Sequence, residues 1–205
     1  LAHDGIGVLS TKYGKIDDQC VNVEMVIPNG KVLHSAPVPK HSSGPDLKHL
    51  FLGSEGTLGV MTQATMKLYR LPETRRFRAF LFKSVADGLA AGRDMLQVIK
   101  PSIIRLYDEA ETVSLIKKVI GFSKPGAFMN VAIEGAKDMV AVEEKHMLEI
   151  CARYGAEDLG SDYGEKWWDS RLTFFYPDKV LDFPLMFGTM DTVLKYANVE
   201  KCYHA

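Results

Sequence analysis

The hydrophobic pattern of this chain changes its period at Pro72, and this change constrains the fold more than any other feature. Before Pro72, apolar and polar residues alternate with the period of two that a half-buried strand requires, over residues 21–27 and 60–69. After Pro72, strand patterns alternate with segments whose apolar residues recur every three or four positions, as in helices. We therefore predict two modules of an α+β chain, residues 1–72 and residues 73–205.

Local signals place the elements within these modules. Pro28-Asn29-Gly30 supplies the turn of a hairpin, and Ser84, with Asp87 three residues later, caps a helix. Pro72 and the charged run 73–78 are expected to mark the boundary. The second module has predicted strands at 77–82, 103–107, 128–133 and 186–194, and predicted helices at 85–99, 110–120, 138–154 and 165–175. This alternation predicts a sheet with helices packed on one face.

Composition excludes several classes of function. The formal net charge is -1, from 25 basic and 26 acidic residues, so no nucleic-acid partner is expected. No window approaches the run of 18 apolar residues of a membrane span, and the N-terminus does not resemble a secretory signal. Three scattered cysteines and three loop histidines lack the spacing of a disulfide framework or a metal site. These residues are Cys20, Cys151, Cys202, His34, His41 and His49.

The densest motif of the chain is a glycine-rich segment, Gly-Ser-Glu-Gly-Thr-Leu-Gly-Val-Met-Thr, at residues 53–62. Glycines at such spacing permit positive φ and let backbone N–H groups approach a phosphate or a flat cofactor edge. The spacing matches neither the dinucleotide fingerprint nor a phosphate loop. A tight turn or bulge entering the following strand explains the same pattern, so both interpretations stay open.

A second glycine-bearing segment runs from His3 to Gly14 and ends in Tyr-Gly. Its backbone amides, with the hydroxyl of Ser10 or Thr11, would suit a pyrophosphate group. A solvated loop is the alternative, because Gly-x-Gly before a turn is common.

Together, the two segments resemble FAD-linked oxidases of the vanillyl-alcohol oxidase and p-cresol methylhydroxylase superfamily. The resemblance is carried by Ser-Thr-Lys-Tyr-Gly-Lys-Ile-Asp-Asp at 10–18, by the glycine-rich segment at 53–62 and by Ala-Thr-Met-Lys-Leu at 64–68. Ser-Ile-Ile-Arg-Leu-Tyr-Asp at 102–108 is similar to a cap-domain strand of the alkyl-dihydroxyacetonephosphate synthase branch. The chain opens at Leu1 instead of methionine, and we expect it to be a C-terminal fragment of a longer protein.

The resemblance implies a fold, a cofactor and site residues. Residues 1–72 would be the second half of a PCMH-type FAD-binding domain, and residues 73–205 an incomplete, ferredoxin-like α+β cap. FAD would bind between them. The residues expected along the FAD are His3, Asp4, Gly5, Ile6, Gly7, Ser10, Glu55, Gly56, Thr57, Leu58, Gly59, Val60 and Met61. Relatives usually carry isoleucine where Met61 stands, and small or amide residues where His3 and Asp4 stand.

Arg105 is the candidate for binding substrate, because a guanidinium makes paired hydrogen bonds to a carboxylate or phosphate. The alternative is that Asp108 or Glu109, close in sequence, neutralises it. An aromatic group suits either an apolar substrate channel or an amphipathic core helix. This group consists of Trp167, Trp168, Phe174, Phe175 and Tyr176.

The resemblance implies an FAD-dependent enzyme that acts on a small molecule, and two substrate classes compete. One is an acylated dihydroxyacetone phosphate that exchanges its acyl group for an alkyl chain. The other is a D-2-hydroxy acid such as D-lactate or glycolate, which loses a hydride to the flavin. A homodimer is compatible with either, and the implied location is cytoplasmic, or peroxisomal for a eukaryotic synthase. A hypothesis of another class is a non-catalytic folded fragment or interaction module.

Overall fold

The structure is a computed structural model that describes residues 1–172 and 192–205. Within these ranges the chain forms seven strands and nine helices, two of the helices flanking one π-helical turn. The strands are β1 (Cys20–Val26), β2 (Val32–His34), β3 (Val60–Met66), β4 (Thr74–Phe82), β5 (Ile103–Tyr107), β6 (Ala127–Gly135) and β7 (Glu157–Asp158). The helices are α1 (Ser10–Tyr13), α2 (Ile16–Gln19), α3 (Lys48–Phe51), α4 (Val85–Val98), α5 (Glu109–Glu111), the π-turn (Thr112–Ile116), α6 (Lys117–Ile120), α7 (Lys137–Arg153), α8 (Asp162–Ser170) and α9 (Tyr196–Tyr203).

The first sheet has three antiparallel strands in the order β2-β1-β3. The predicted hairpin between β1 and β2 is present, and Gly30 takes a positive φ of 80° in its turn. Val23 and Met25 of β1 are fully buried and pack on Phe51 of α3. A small apolar core therefore holds the first module together.

The second sheet has four antiparallel strands in the order β5-β6-β4-β7. Counted from β4, this order is 2-3-1-4, the arrangement of a ferredoxin-like βαββαβ unit. The predicted strand at 103–107 is confirmed with the same bounds, and Ser84 caps α4 by accepting the N–H of Asp87 at 3.2 Å. The charged run 73–78 lies mostly inside β4, so those charges belong to a strand.

Helices cover both faces of the second sheet, and the expectation of helices on one face was wrong. On one face, Met95 of α4 and Met147 of α7 pack against β4 and β6. On the other, Ile116 of the π-turn and Trp167 of α8 pack against Ile103 of β5. The reason is visible in β6, where every residue from 127 to 134 is buried, as a strand covered on both faces must be.

Two sequence predictions fall partly outside the described residues. The predicted helix at 165–175 corresponds to α8, which ends at Ser170, and residues 173–175 lie outside the described ranges. Of the predicted strand at 186–194, residues 186–191 lie outside them, and residues 192–194 have no regular secondary structure. In the part of the chain that the structure describes, no helix has the length and apolar character needed to cross a membrane.

Candidate functional site

The two glycine-bearing segments of the first module lie side by side. The backbone N–H of Gly53 donates to the carbonyl oxygen of Leu1 at 3.2 Å, and that of Glu55 donates to Ala2 at 2.9 Å. His3 Nδ1 lies 2.9 Å from Glu55 Oε1, across a separation of 52 positions. Residues 1–7 and 53–61 therefore form one surface, which we call the loop pair.

The backbone of the loop pair takes conformations that favour glycine. Asp4 has a φ of 51° and Glu55 a φ of 49°, and residues other than glycine seldom adopt this region. Such conformations persist where surrounding structure imposes them, and they cluster at ligand-binding sites. Gly59 has a different reason, because a Cβ on it would lie 2.5 Å from the carbonyl oxygen of Val26. Gly59 thus allows β3 to pair with β1.

The outer side of the loop pair is open and partly apolar. Gly5 and Gly7 have no atom within 4 Å of the position where a Cβ would stand. Ile6 is 74% exposed and Val60 is 65% exposed, so two large apolar side chains of the loop pair face outward. A flat ring can therefore approach the backbone here and cover apolar side chains.

Two polar atoms of the loop pair are buried and have no hydrogen-bond partner within the described ranges, Asp4 Oδ1 and Ser54 Oγ. Buried polar groups nearly always have a partner, so these two atoms indicate a ligand or solvent molecule at this place. The other carboxylate oxygen of Asp4 pairs with Lys15. Open glycine backbone, exposed apolar side chains and two orphaned polar atoms fit a cofactor with a flat ring and polar edges, as FAD has.

Three predicted cofactor residues have other contacts. The hydroxyl of Ser10 donates to the carbonyl oxygen of Gly7, and Thr57 Oγ1 donates to the backbone carbonyl oxygen of Ser54 at 2.6 Å. Met61 packs against the core of the first sheet, so its side chain points away from the open surface. The sequence alone does not distinguish Val60 from Met61, because either phase of the alternation could face inward.

Arg105 lies on β5, and neither sequence neighbour neutralises it. The carboxylate of Asp108 accepts the N–H of Glu111 at 2.6 Å, and that of Glu109 accepts the N–H of Val85 at 3.3 Å. Among residues 1–172 and 192–205, no carboxylate lies within 4.0 Å of the guanidinium. Burial raises the pKa of Glu111, and the more distant charge of Arg105 opposes that rise. With respect to the described residues, the guanidinium of Arg105 is thus available to an anion.

A short segment connects the loop pair to the sheet face that carries Arg105. Val8 and Leu9, directly after the first loop, pack into the cluster that contains Ile103 and Tyr107 of β5. In an antiparallel sheet side chains alternate between faces, so Ile103, Arg105 and Tyr107 share one face. The predicted cofactor segment and the predicted substrate-binding strand are therefore neighbours.

A buried carboxylate, which no sequence motif predicts, links the segment after the first loop to the second sheet. Glu134 of β6 is 1% exposed and accepts hydrogen bonds from the hydroxyl of Tyr13 and from Nε of Arg75. Lys12 donates to the backbone carbonyl of the same residue. Burial, followed by the hydrogen bond to Glu134, raises the pKa of Tyr13 from 10.0 to about 12. A cleft of about 540 Å³ lies beside these residues.

The same sheet face holds one further residue that the sequence analysis did not select. Asn130 of β6 is fully buried, and both atoms of its side-chain amide have no hydrogen-bond partner in the described part of the chain. The signal was present, because Asn130 is the one polar residue in the otherwise apolar run 127–133.

The aromatic pair of α8 serves the core. Trp167 is 2% exposed, and its Nε1–H donates to the hydroxyl of Tyr107 at 2.8 Å. Trp168 stacks against Arg75 and Arg171, whose guanidinium carbons lie 4.5 and 3.5 Å from its ring centroid. These contacts are those of a packed helix, while Phe174, Phe175 and Tyr176 of the channel hypothesis lie outside the described residues.

Residues 1–172 and 192–205 contain no group of three or more His, Cys, Asp or Glu side chains placed to hold a metal ion. Cys20 and Cys151 are buried free thiols, and burial raises the pKa of each, that of Cys151 to about 12. Thiolate chemistry at neutral pH is therefore disfavoured at both.

Comparisons with known proteins match most of the chain. The family model of FAD linked oxidases, C-terminal domain, matches residues 71–204. The alkyldihydroxyacetonephosphate synthase of Dictyostelium discoideum is 31% identical over 228 residues, which cover 98% of this chain and 36% of that protein. A mitochondrial D-lactate dehydrogenase (cytochrome) of Arabidopsis thaliana is 36% identical over 107 residues, covering 51% of this chain and 19% of that protein.

Solved structures agree with these matches. An alkyldihydroxyacetonephosphate synthase structure superposes with a TM-score of 0.68 and 31% identity, covering 85% of this chain and 35% of that one. A p-cresol methylhydroxylase structure superposes with a TM-score of 0.52 and 15% identity over 74% of this chain and 35% of that one, which shows the fold alone. The two synthases match most of this chain, but this chain spans only about a third of the length of each synthase. The predicted relationship is confirmed, and the chain belongs to the family of FAD-linked oxidases, of which it carries the C-terminal domain.

Proposed function

We propose that the whole protein is an FAD-dependent enzyme in which the loop pair holds part of the FAD and the β5 face of the second sheet binds the substrate. In this proposal residues 1–72 are the second half of the FAD-binding domain and residues 73–205 belong to the cap. The observation that carries it is the segment through Val8 and Leu9, which joins the open loop pair directly to the face of Arg105.

In this proposal the loop pair binds the cofactor and Arg105 binds the substrate. The bound flavin supplies the redox chemistry. The open backbone of Gly5 and Gly7 lets the flavin ring lie close to the chain, and the orphaned atoms of Asp4 and Ser54 bind its polar edges. Arg105 binds the anionic group of the substrate with two parallel hydrogen bonds and so fixes which atom faces the flavin.

Two substrate classes carry a suitable anion. An acylated dihydroxyacetone phosphate offers a phosphate, and the similarity over nearly the whole chain to an alkyldihydroxyacetonephosphate synthase favours this class. A D-2-hydroxy acid offers a carboxylate, and the similarity to a D-lactate dehydrogenase over half the chain supports it as the second candidate. In the second case bound FAD would serve as the two-electron acceptor for the hydride of the substrate carbon, and the proton of the hydroxyl would pass to solvent.

The first experiment is to record the absorbance of the full-length protein between roughly 350 and 500 nm, where oxidised flavins absorb. A yellow protein that bleaches anaerobically with D-lactate or glycolate is the dehydrogenase. A yellow protein that releases fatty acid from palmitoyl-dihydroxyacetone phosphate in the presence of a fatty alcohol is the synthase. A colourless protein that takes up no added FAD contradicts the proposal and favours a non-catalytic module.

The role of Arg105 is tested by Arg105→Met in the full-length protein. Loss of hydrogen bonds to a charged group corresponds to a rise in KM of roughly 10- to 150-fold. Arg93→Met is the matched control, because Arg93 is an exposed arginine paired with Asp94. Equal KM values for the two variants would exclude Arg105 from substrate binding. Size-exclusion chromatography of the same preparations tests the homodimer that we include in the proposal.

A further inference from the structure

Among the described residues, nothing forms a hydrogen bond with the buried side-chain amide of Asn130. Asn130 lies on β6, the second strand from the β5 edge, and its side chain is fully buried. Both its Nδ2 and its Oδ1 have no hydrogen-bond partner within the described ranges. An apolar residue of similar volume would avoid the desolvation that such an amide suffers, so a second role must favour asparagine here.

The register places Asn130 directly beside Arg105. Arg105 of β5 and Ala79 of β4 are its cross-strand partners, so all three side chains lie on one face of the sheet. Directly opposite residues of antiparallel strands have Cα atoms roughly 4.5–5.5 Å apart. An anion held by the guanidinium of Arg105 is therefore within reach of the neighbouring amide.

Two small neighbours of the amide, Ala79 and Gly164, offer it no polar side chain. Ala79 contributes only a methyl group on one side. On the other, Gly164 of α8 lies over the amide, where a Cβ would stand 3.0 Å from Asn130 Oδ1 and 2.8 Å from Phe77 Cβ. The row from Ala79 to Arg105 ends at β5, the edge strand of the sheet, where Arg105 is half-buried.

We propose that Asn130 is a second substrate-binding residue, whose amide donates a hydrogen bond to the same carboxylate or phosphate that Arg105 binds. This inference rests on the proposed function and extends it. The guanidinium supplies the charge and two directed donors, and the amide adds a neutral donor at a fixed place on the next strand. The pair thus selects an oxyanion with at least three acceptor sites available, and neutral alcohols bind poorly.

The test uses the full-length flavoprotein with Asn130→Leu, a change of similar volume that removes both polar atoms. Two probes are used under anaerobic conditions, D-lactate for the carboxylate and palmitoyl-dihydroxyacetone phosphate for the phosphate. The dissociation constant of D-lactate is taken from the dependence of the bleaching rate on its concentration, and that of the phosphate probe from the shift of the flavin spectrum. We expect a dissociation constant about tenfold higher for the probe that wild type binds, which corresponds to about 1.4 kcal/mol. The thermal midpoint of the ligand-free variant should equal or exceed that of wild type, because an unsatisfied amide has been removed.

Controls separate binding from folding. Met129→Leu changes the neighbouring residue on the opposite face and should leave both dissociation constants unchanged. Asn130→Ser keeps a small polar group and replaces the leucine variant if that variant does not fold; the same tenfold loss is expected. Combined with Arg105→Met, Asn130→Leu should cost less than the sum of the single changes, because both remove contacts to one anion.

Each outcome decides between the hypotheses. If wild type is yellow, Arg105→Met weakens binding and Asn130→Leu does not, Asn130 binds only solvent and the inference is overturned while the proposed function stands. Additive losses in the double variant mean that the two residues do not share one anion, which also overturns it. A yellow wild type that binds neither probe rejects the substrate classes named for the pair. A colourless wild type removes both the proposed function and the inference.

Discussion

Replacing Glu134 by alanine removes the carboxylate that joins the two modules. In the wild-type chain this side chain is 1% exposed and accepts hydrogen bonds from Tyr13 and from Arg75. Alanine leaves the guanidinium of Arg75, which is 27% exposed, without its ion-pair partner. The phenol of Tyr13 loses its acceptor at the same time.

The size of the effect follows from burial. Removing one partner of a buried ion pair lowers the free energy of unfolding by about 3–5 kcal/mol, and the partial exposure of Arg75 places this case near the lower bound. For a chain of this length, 1 kcal/mol shifts the thermal midpoint by roughly 2–4 °C. Glu134→Ala should therefore lower the midpoint by roughly 6–12 °C.

The assay is thermal unfolding followed by circular dichroism at constant pH. The control is Glu157→Ala, which breaks the pair between Lys124 and Glu157, whose side chains are 58% and 50% exposed. Exposed pairs contribute about 0–1 kcal/mol, so the control should move the midpoint by less than about 4 °C. If the two variants shift the midpoint equally, the hydrogen bonds from Tyr13 and Arg75 to Glu134 do not stabilise the fold, and our interpretation of them is wrong.

Three further changes test other parts of the structure. Gly59→Ala should lower the free energy of unfolding by at least about 2 kcal/mol in denaturant titrations, because φ is 147° and the new Cβ would meet the Val26 carbonyl oxygen. An unchanged midpoint would contradict the close approach of β3 to β1. Ser84→Ala should cost about 1 kcal/mol by the same method, since the hydroxyl that accepts the Asp87 N–H is lost, and no loss would mean that the cap is solvated. The pKa of Tyr13 is higher in the folded state, so the neutral phenol contributes stability below pH 10 that is lost as the pH rises to about 12. The free energy of unfolding of wild type should therefore approach that of Tyr13→Phe over this window. If the difference between the two proteins does not shrink, the hydrogen bond is refuted.

Local signals predicted the second sheet well. The strand at 103–107 is bracketed by Pro101 and Asp108, and both bounds agree with the structure. Helix α4 begins where its cap residue stands. The charged run 73–78 was assigned to a boundary, yet Arg76 and Arg78 of β4 pair with Glu144 of α7. Charge pattern alone does not reveal partners that lie about 70 positions away.

Long-range contacts account for what the sequence could not predict. The loop pair was identified by resemblance to a family, and no local periodicity would bring His3 beside Glu55. The hydrogen bond from Tyr13 to Glu134 joins residues 121 positions apart, and no sequence motif predicts it. Coverage of both faces of the second sheet was missed because an apolar run such as residues 127–133 fits a strand covered on one face or on two.

Both tryptophans of the 205-residue chain occupy consecutive positions of α8, and this has a spectroscopic consequence. Trp167 is enclosed beside Tyr107, and Trp168 contacts two guanidinium groups. Intrinsic fluorescence of this chain therefore reports the docking of one helix on the second sheet, and the first sheet is silent at tryptophan excitation wavelengths. A denaturation curve recorded by emission and one recorded by backbone ellipticity will coincide only if the two sheets unfold together.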